Sequence, residues 1–221
     1  MSPSRAALML LADGRFPAGS YAHSGGLEES IRAGRVRDTT DLETFLRGRA
    51  ATAGLVSAAF AAAACRAFAT GMAFGVLDAE LDARMPSPTM REVSRTLGRQ
   101  LRRAVARMRP DPGLDRLGRA PHQPLALGAA SAVLGAGPHD AAAAALHEAV
   151  AGPAAAAVRL MRVDPFDVHR LLGGLTGLLD DLAAAAVGHA ADPEDLPAAA
   201  APLLDIAAAR HRGAEVRLFA S

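Results

Sequence analysis

The chain has 221 residues, of which 51% are hydrophobic and only 4% aromatic, and its formal net charge is +1. That is enough apolar material for a sizeable core, and no global field points to nucleic acid or membrane. Every basic side chain is Arg, so Schiff-base lysines and the lysine of a P-loop are excluded. The single cysteine, Cys65, excludes intramolecular disulfides and cysteine-cluster zinc sites.

Alanine dominates and β-branched residues are scarce, a mixture that favours helix over strand. From the N-terminus, a short apolar run at 6–12 is closed by Asp13 and Gly14. It is too short to read as a signal peptide, and a cytoplasmic protein is expected. Helices are predicted over 4–12, 25–33, 41–69, 72–84, 88–108, 122–135, 139–151, 153–162, 165–189 and 197–212. Ser2-Pro3, Ser87-Pro88, Asp164-Pro165 and Asp192-Pro193 are start signals, each pairing a capping oxygen with a residue pre-set at helical φ. Thr40 with Glu43 reads as a capping box before Leu42, Phe45 and Leu46. Gly34, Gly71 and Gly152 stand where C-caps belong. Residues 109–121 carry three prolines and read as a loop. No segment alternates as a strand does. The longest apolar candidate for a membrane span, 141–161, is broken by His147, Glu148, Gly152 and Pro153, so no membrane segment is expected. The expectation is an all-α protein, with residues 1–221 forming one compact domain of about ten helices.

Helix 88–108 is the clearest amphipathic element. Val93, Leu97, Leu101, Ala104, Val105 and Met108 share one face, and Arg91, Arg95, Arg99, Arg103 and Arg107 recur every four residues on the other. A basic stripe of this kind suits an acidic partner or nucleic acid. A solvated outer face is the plainer reading, and no aromatics are interleaved for base stacking.

Candidate chemistry is sparse. Ala22-His23-Ser24-Gly25-Gly26 looks like a nucleophile elbow, but that motif works only on a turn between a buried strand and a helix. With no sheet to hold it, Ser24 reads as the cap of a helix carrying Leu27 and Ile31, and a Ser24/His23 hydrolase is the least favoured function. The seven histidines never fall three or four residues apart, so no helix offers a two-His metal clamp. Catalytic residues, cofactor and metal ligands are therefore all read as none. At the C-terminus, Val216, Leu218 and Phe219 lie beyond Gly213, and apolar termini of this kind dock somewhere, on their own core or on a partner.

One family pattern runs through the chain. Leu10-Leu11-Ala12-Asp13, then Pro17-Ala18-Gly19-Ser20-Tyr21-Ala22-His23-Ser24-Gly25-Gly26-Leu27-Glu28, resembles the N-terminal signature of UreF, the urease accessory protein. Ala83-Arg84-Met85-Pro86-Ser87 with Arg91, Ser94 and Gly98-Arg99 resembles the family's middle segment. His122, Leu127-Gly128, Leu134-Gly135 and Ala156-Ala157-Val158-Arg159-Leu160 continue in order. Arg210-His211 and Arg217-Leu218-Phe219-Ala220-Ser221 close it. Two stretches depart from the pattern. Met161-Arg162-Val163-Asp164-Pro165 replaces a Pro-Leu-Gly-Gln-like run, and Glu215-Val216 replaces Tyr-Ser.

The resemblance implies an all-helical, homodimeric, non-enzymatic adaptor. It would bridge UreD (also called UreH) and the GTPase UreG on apo-urease, coupling GTP hydrolysis to nickel insertion. It implies a UreG-facing role for Glu28 and Arg159, and a UreD-facing role for Arg210, His211, Arg217, Leu218, Phe219 and Ser221, with 214–221 as a docking tail. Pro17, Gly19, His23, Ser24 and Gly26 would shape a structural loop. Neither nucleic acid nor membrane is implied as a partner.

Overall fold

The structure, a computed structural model, describes residues 9–11, 13, 16 and 23–212. The described residues form nine α-helices and no strand: α1 Leu27–Arg32, α2 Thr39–Arg49, α3 Leu55–Thr70, α4 Gly75–Arg84, α5 Pro88–Met108, α6 Gln123–Val133, α7 Pro138–Met161, α8 Pro165–His189 and α9 Pro202–Arg212. The predicted start signals act as read at two helices. Ser87 accepts from Met90 N–H and caps α5, and Asp164 accepts from Phe166 N–H and caps α8. Asp192 accepts from Glu194 N–H but opens only the short 3-10 turn Pro193–Asp195. Pro197 follows within four residues, so α9 begins at Pro202, later than expected. The predicted helix 4–12 lies largely outside the described residues.

Three other readings change. α2 is capped by Asp38, whose carboxylate accepts from Thr40 and Asp41 N–H, so Thr40 stands inside the helix and is not its cap. The predicted helix 41–69 is interrupted by a π-helical turn, Ala50–Gly54, in which Leu55 N–H reaches back to the Ala50 carbonyl. The predicted pair 139–151 and 153–162 is a single helix, α7, that runs through Gly152 and Pro153. Pro153 has no N–H for the Ala149 carbonyl, a defect that inside a helix costs about 3 kcal/mol. Here Arg49 Nε donates to that carbonyl at 2.8 Å and supplies the missing bond.

α3 is the axis of the fold. It is mostly apolar and buried from Val56 through Ala67, with Arg66 exposed, and α6, α7 and α8 pack around it. Its alanines permit very close approach. A Cβ on Gly128 of α6 would stand 2.1 Å from the Ala61 carbonyl oxygen, and one on Gly98 of α5 would stand 2.1 Å from the Pro121 carbonyl oxygen. The buried face of α5 is accordingly Ser94, Gly98, Leu101 and Val105. Val93 and Leu97, expected in the core, are half-buried, and Met108 is exposed. A second core cluster joins Leu27, Val36, Leu42 and Leu46 to Val150, Ala154, Ala157, Val168 and Leu175. Leu179 and Leu182 of α8 touch both clusters.

By length and composition three helical stretches could cross a membrane: Thr39–Thr70, Pro138–Met161 and Pro165–His189. The first two bury 61% of their most apolar window within the protein, whereas α8 buries only 22%. α8 leaves Phe166 86% exposed, and Gly173, Gly174, Gly177 and Gly188 each face open space.

These glycines predict opposite outcomes for one substitution. Gly128→Ala forces α6 off α3 and should lower unfolding free energy by about 3 kcal/mol or more. Gly177→Ala meets no neighbour and should raise it by up to about 1 kcal/mol. Urea denaturation midpoints at constant m-value check both, and a neutral Gly128→Ala would contradict the close approach.

Candidate functional site

Of the residues singled out by the sequence, His23, Ser24, Gly26 and Glu28 lie where the segment entering α1 meets the end of α2 and the middle of α7. The turn His23-Ser24-Gly25-Gly26 needs its glycines, because Gly25 and Gly26 hold φ of +60 and +89. Ser24 is fully buried. Its hydroxyl accepts from Glu28 N–H at 3.4 Å and its carbonyl from Leu27 N–H at 3.2 Å. Ser24 thus secures the first turn of α1, although the cap residue itself is Gly26. A buried serine whose hydroxyl serves a helix terminus, in a chain with no strand among its described residues, does not fit a nucleophile elbow.

Arg49 closes this corner. Its Nη1 donates to the Gly25 carbonyl at 2.9 Å while Nε donates to Ala149. Burial pushes its guanidinium down to about 10, so it stays charged at neutral pH. Glu28 and Glu29 occupy the first turn of α1, where they complement the helix dipole. Both are nearly buried, and Arg32 reaches them at 3.6 and 2.9 Å. α1 packs on α7, whose last turn carries the exposed Arg159. Arg210 is exposed on α9. The His211 side chain, Arg217, Leu218, Phe219, Ser221, Pro17 and Gly19 lie outside the described residues.

A second polar constellation was not legible as one. His122 is fully buried just before α6. Its Nε2 lies 2.9 Å from Asp82 Oδ1 and its Nδ1 lies 3.0 Å from Ser94 Oγ. Burial holds His122 below its usual pKa. The neutral tautomer with the proton on Nε2 satisfies the whole set: it donates to Asp82, and Ser94 donates to Nδ1 while accepting from Gln123 N–H. Burial raises the Asp82 carboxyl, but bonds from Arg95 and His122 outweigh it and hold the group below its ordinary value. Arg95 also grips Asp78 at 2.9 Å and the Ala120 carbonyl at 2.7 Å.

This network dissolves the expected arginine stripe. Arg95 is bound into α4 and the 109–121 loop, and Arg91 donates to the Met85 and Pro86 carbonyls. Only Arg99, Arg103 and Arg107 remain outward as exposed side chains. Among the described residues no three His, Cys, Asp or Glu side chains converge as a metal site.

Glu148 of α7 extends the network, accepting a bond from the Gln123 amide. Burial pushes its carboxyl up to about 7. With the folded value above the unfolded one, the folded state binds the extra proton between roughly pH 4.5 and 7. Stability from Glu148 is therefore complete below that window and lost as pH rises through 7. Glu148→Gln should stabilise the protein at pH 8, by roughly 1–2 kcal/mol after allowance for partial exposure, and leave it unchanged near pH 4.5. Melting temperatures at the two pH values check this, and an equal gain at both would contradict it.

Comparison with known proteins bears on the whole chain. The UreF family model matches residues 36–176. The urease accessory protein UreF of Mycobacterium sp. (strain JLS) is 44% identical over 97% of both chains. Those of Mycolicibacterium vanbaalenii and Mycobacterium tuberculosis are 41% and 39% identical over 99% of both. The match spans α2 through the middle of α8, and the relatives align across both the Gly25–Arg49 corner and the His122 network. The chain belongs to the UreF family of urease accessory proteins.

Proposed function

We propose that this protein is a non-enzymatic adaptor of urease maturation. It bridges UreD (UreH) and the GTPase UreG on apo-urease in the cytoplasm, and the assembly inserts nickel at the expense of GTP. Nickel is cargo here, not a resident cofactor. Membership of a family of accessory proteins supports the reading. The single structural observation in its favour is that α8, a helix of 25 residues, is poorly covered: Phe166 is 86% exposed and Gly173, Gly174, Gly177 and Gly188 face open space, beside the exposed Asp167, Arg170, Asp180 and Asp181. An aromatic side chain left in solvent beside bare glycine backbone is surface that association would bury. Partners, including a second copy in a homodimer, would cover such surfaces without any reaction at the buried polar groups.

Glu28 and Arg159 are assigned to the UreG side and 214–221 to UreD. Leu218 and Phe219 beside Arg217 combine the residue types that anchor interfaces. Arg210 and His211 stand at the root of that tail.

Tagged protein expressed with its host's urease genes should co-purify UreD, UreG and urease subunits, and should hydrolyse neither GTP nor urea by itself. Recovery of none of these proteins would overturn the adaptor reading. Deleting 214–221 should abolish UreD capture while leaving helix content and melting temperature nearly unchanged. Arg217→Ala alone should weaken the complex by about 2 kcal/mol if it is a hot spot. A truncated protein that unfolds, or that still captures UreD, would refute the tail assignment.

A further inference from the structure

We propose that Arg49 is a positioning residue for docking: it sets the shape of the His23–Glu28 turn by tying the Gly25 carbonyl to the α7 carbonyl that Pro153 leaves free. The inference rests on the adaptor reading for what the turn meets, but its geometry stands by itself.

Three oddities meet at one guanidinium. Pro153 leaves the Ala149 carbonyl without a helical donor, and Arg49 Nε fills that place at 2.8 Å. Gly25 is left-handed at φ +60, and Arg49 Nη1 holds its carbonyl at 2.9 Å. A Cβ on Gly25 would stand 2.9 Å from Arg49 Cζ and 3.1 Å from Pro153 Cγ, so turn, arginine and proline are in mutual contact. Arg49 is also the last residue of α2, immediately before the π-helical turn. No carboxylate among the described residues pairs with it, so its bonding is directed at main-chain oxygens.

A planar fork suits this task. Nε and Nη1 point along fixed, diverging directions, so the distance between the two carbonyls is set by the guanidinium itself. α1 begins one residue beyond Gly26, so the placement of Glu28 relative to Arg159 on α7 is set through the same link. Helix repair alone would need only Nε. The second bond ties a separate segment of chain, and that bond fixes the surface.

The two bonds separate by mutation. Pro153→Ala restores an N–H to the Ala149 carbonyl, so in Arg49→Met/Pro153→Ala the helix is whole while the Gly25 carbonyl is released. Hydrogen exchange read by mass spectrometry should show peptides from 142–161 exchanging as in the wild type. Peptides from 23–32 should exchange about tenfold faster, and capture of the urease maturation partners should fall at least tenfold. Should the double variant fail to fold, Arg49→Gln/Pro153→Ala keeps a polar side chain at 49 but removes the fork, and should give the same pattern. Wild-type exchange over 23–32 in the folded variant would overturn the positioning role, whatever the partners do. Faster exchange with undiminished capture would overturn its link to docking. If the unaltered protein captures no partner, the adaptor reading fails, and the exchange result still decides whether Arg49 holds the turn.

Discussion

Everything in this fold follows from how closely α3 lets its neighbours approach. Ala61 through Ala64 present almost no side-chain volume, so Gly128 of α6 comes within touching distance of the Ala61 main chain. Alanine loses no rotamer freedom on burial, which keeps the entropic cost of ordering low. Each alanine also buries little apolar area, so stability must be gathered over many shallow contacts. At the α3–α6 contact itself added volume has nowhere to go, because a Cβ on Gly128 would meet the Ala61 carbonyl and the Cys65 backbone nitrogen rather than the end of a flexible side chain.

Arginine supplies the reach that such a core lacks. Long side chains at the rim span between elements and end on main-chain carbonyls: Arg84 on Leu196, Arg95 on Ala120, Arg102 on Leu114, and Arg116 on Met72 and Phe68. Arg84 lies 5.7 Å over the Phe60 ring, and Arg116 lies 5.0 Å over Phe68 and 5.8 Å over Phe74, so their stems and planes pack as well as donate. These carbonyls belong to helix ends and loops, where helical partners run out. Several arginines that look in sequence like a charged exterior, Arg49, Arg84, Arg95 and Arg102 among them, are half-buried struts between elements.

That distinction marks what the sequence could tell. Helix type was legible throughout, since composition and the Ser-Pro and Asp-Pro starts act locally. The bounds of α5 could be read to the residue because Ser87 and Pro88 act on adjacent backbone. The continuity of α7 could not be read, because the rescue of Pro153 comes from Arg49, 104 positions away in the chain. The arginine stripe misled for the same reason: helical period places Arg95 on the outer face, but Asp78 and Asp82 of α4 stand there to receive it. His122 was visible as part of a family pattern, yet its burial depends on the close approach at Gly98, a tertiary fact. The partner-facing residues were legible only through resemblance, since nothing local distinguishes Arg159 from any exposed arginine.

The division between rigid and uncovered surfaces bears on how the adaptor role proposed above would work. Polar groups that elsewhere serve catalysis are here satisfied internally: Ser24 by the start of α1, His122 by Asp82 and Ser94, Glu148 by Gln123. Each satisfied group fixes local geometry within the frame. Apolar groups show the opposite economy. Phe166, Leu203 and Ile206 stand in solvent on α8 and α9, where the chain has no further element among its described residues to cover them. Exposed apolar area on an internally locked frame would lose little conformational entropy when a partner arrives, because the frame is already ordered. A scaffold for assembly needs that combination. In an alanine core too tight to deform, it follows directly from composition.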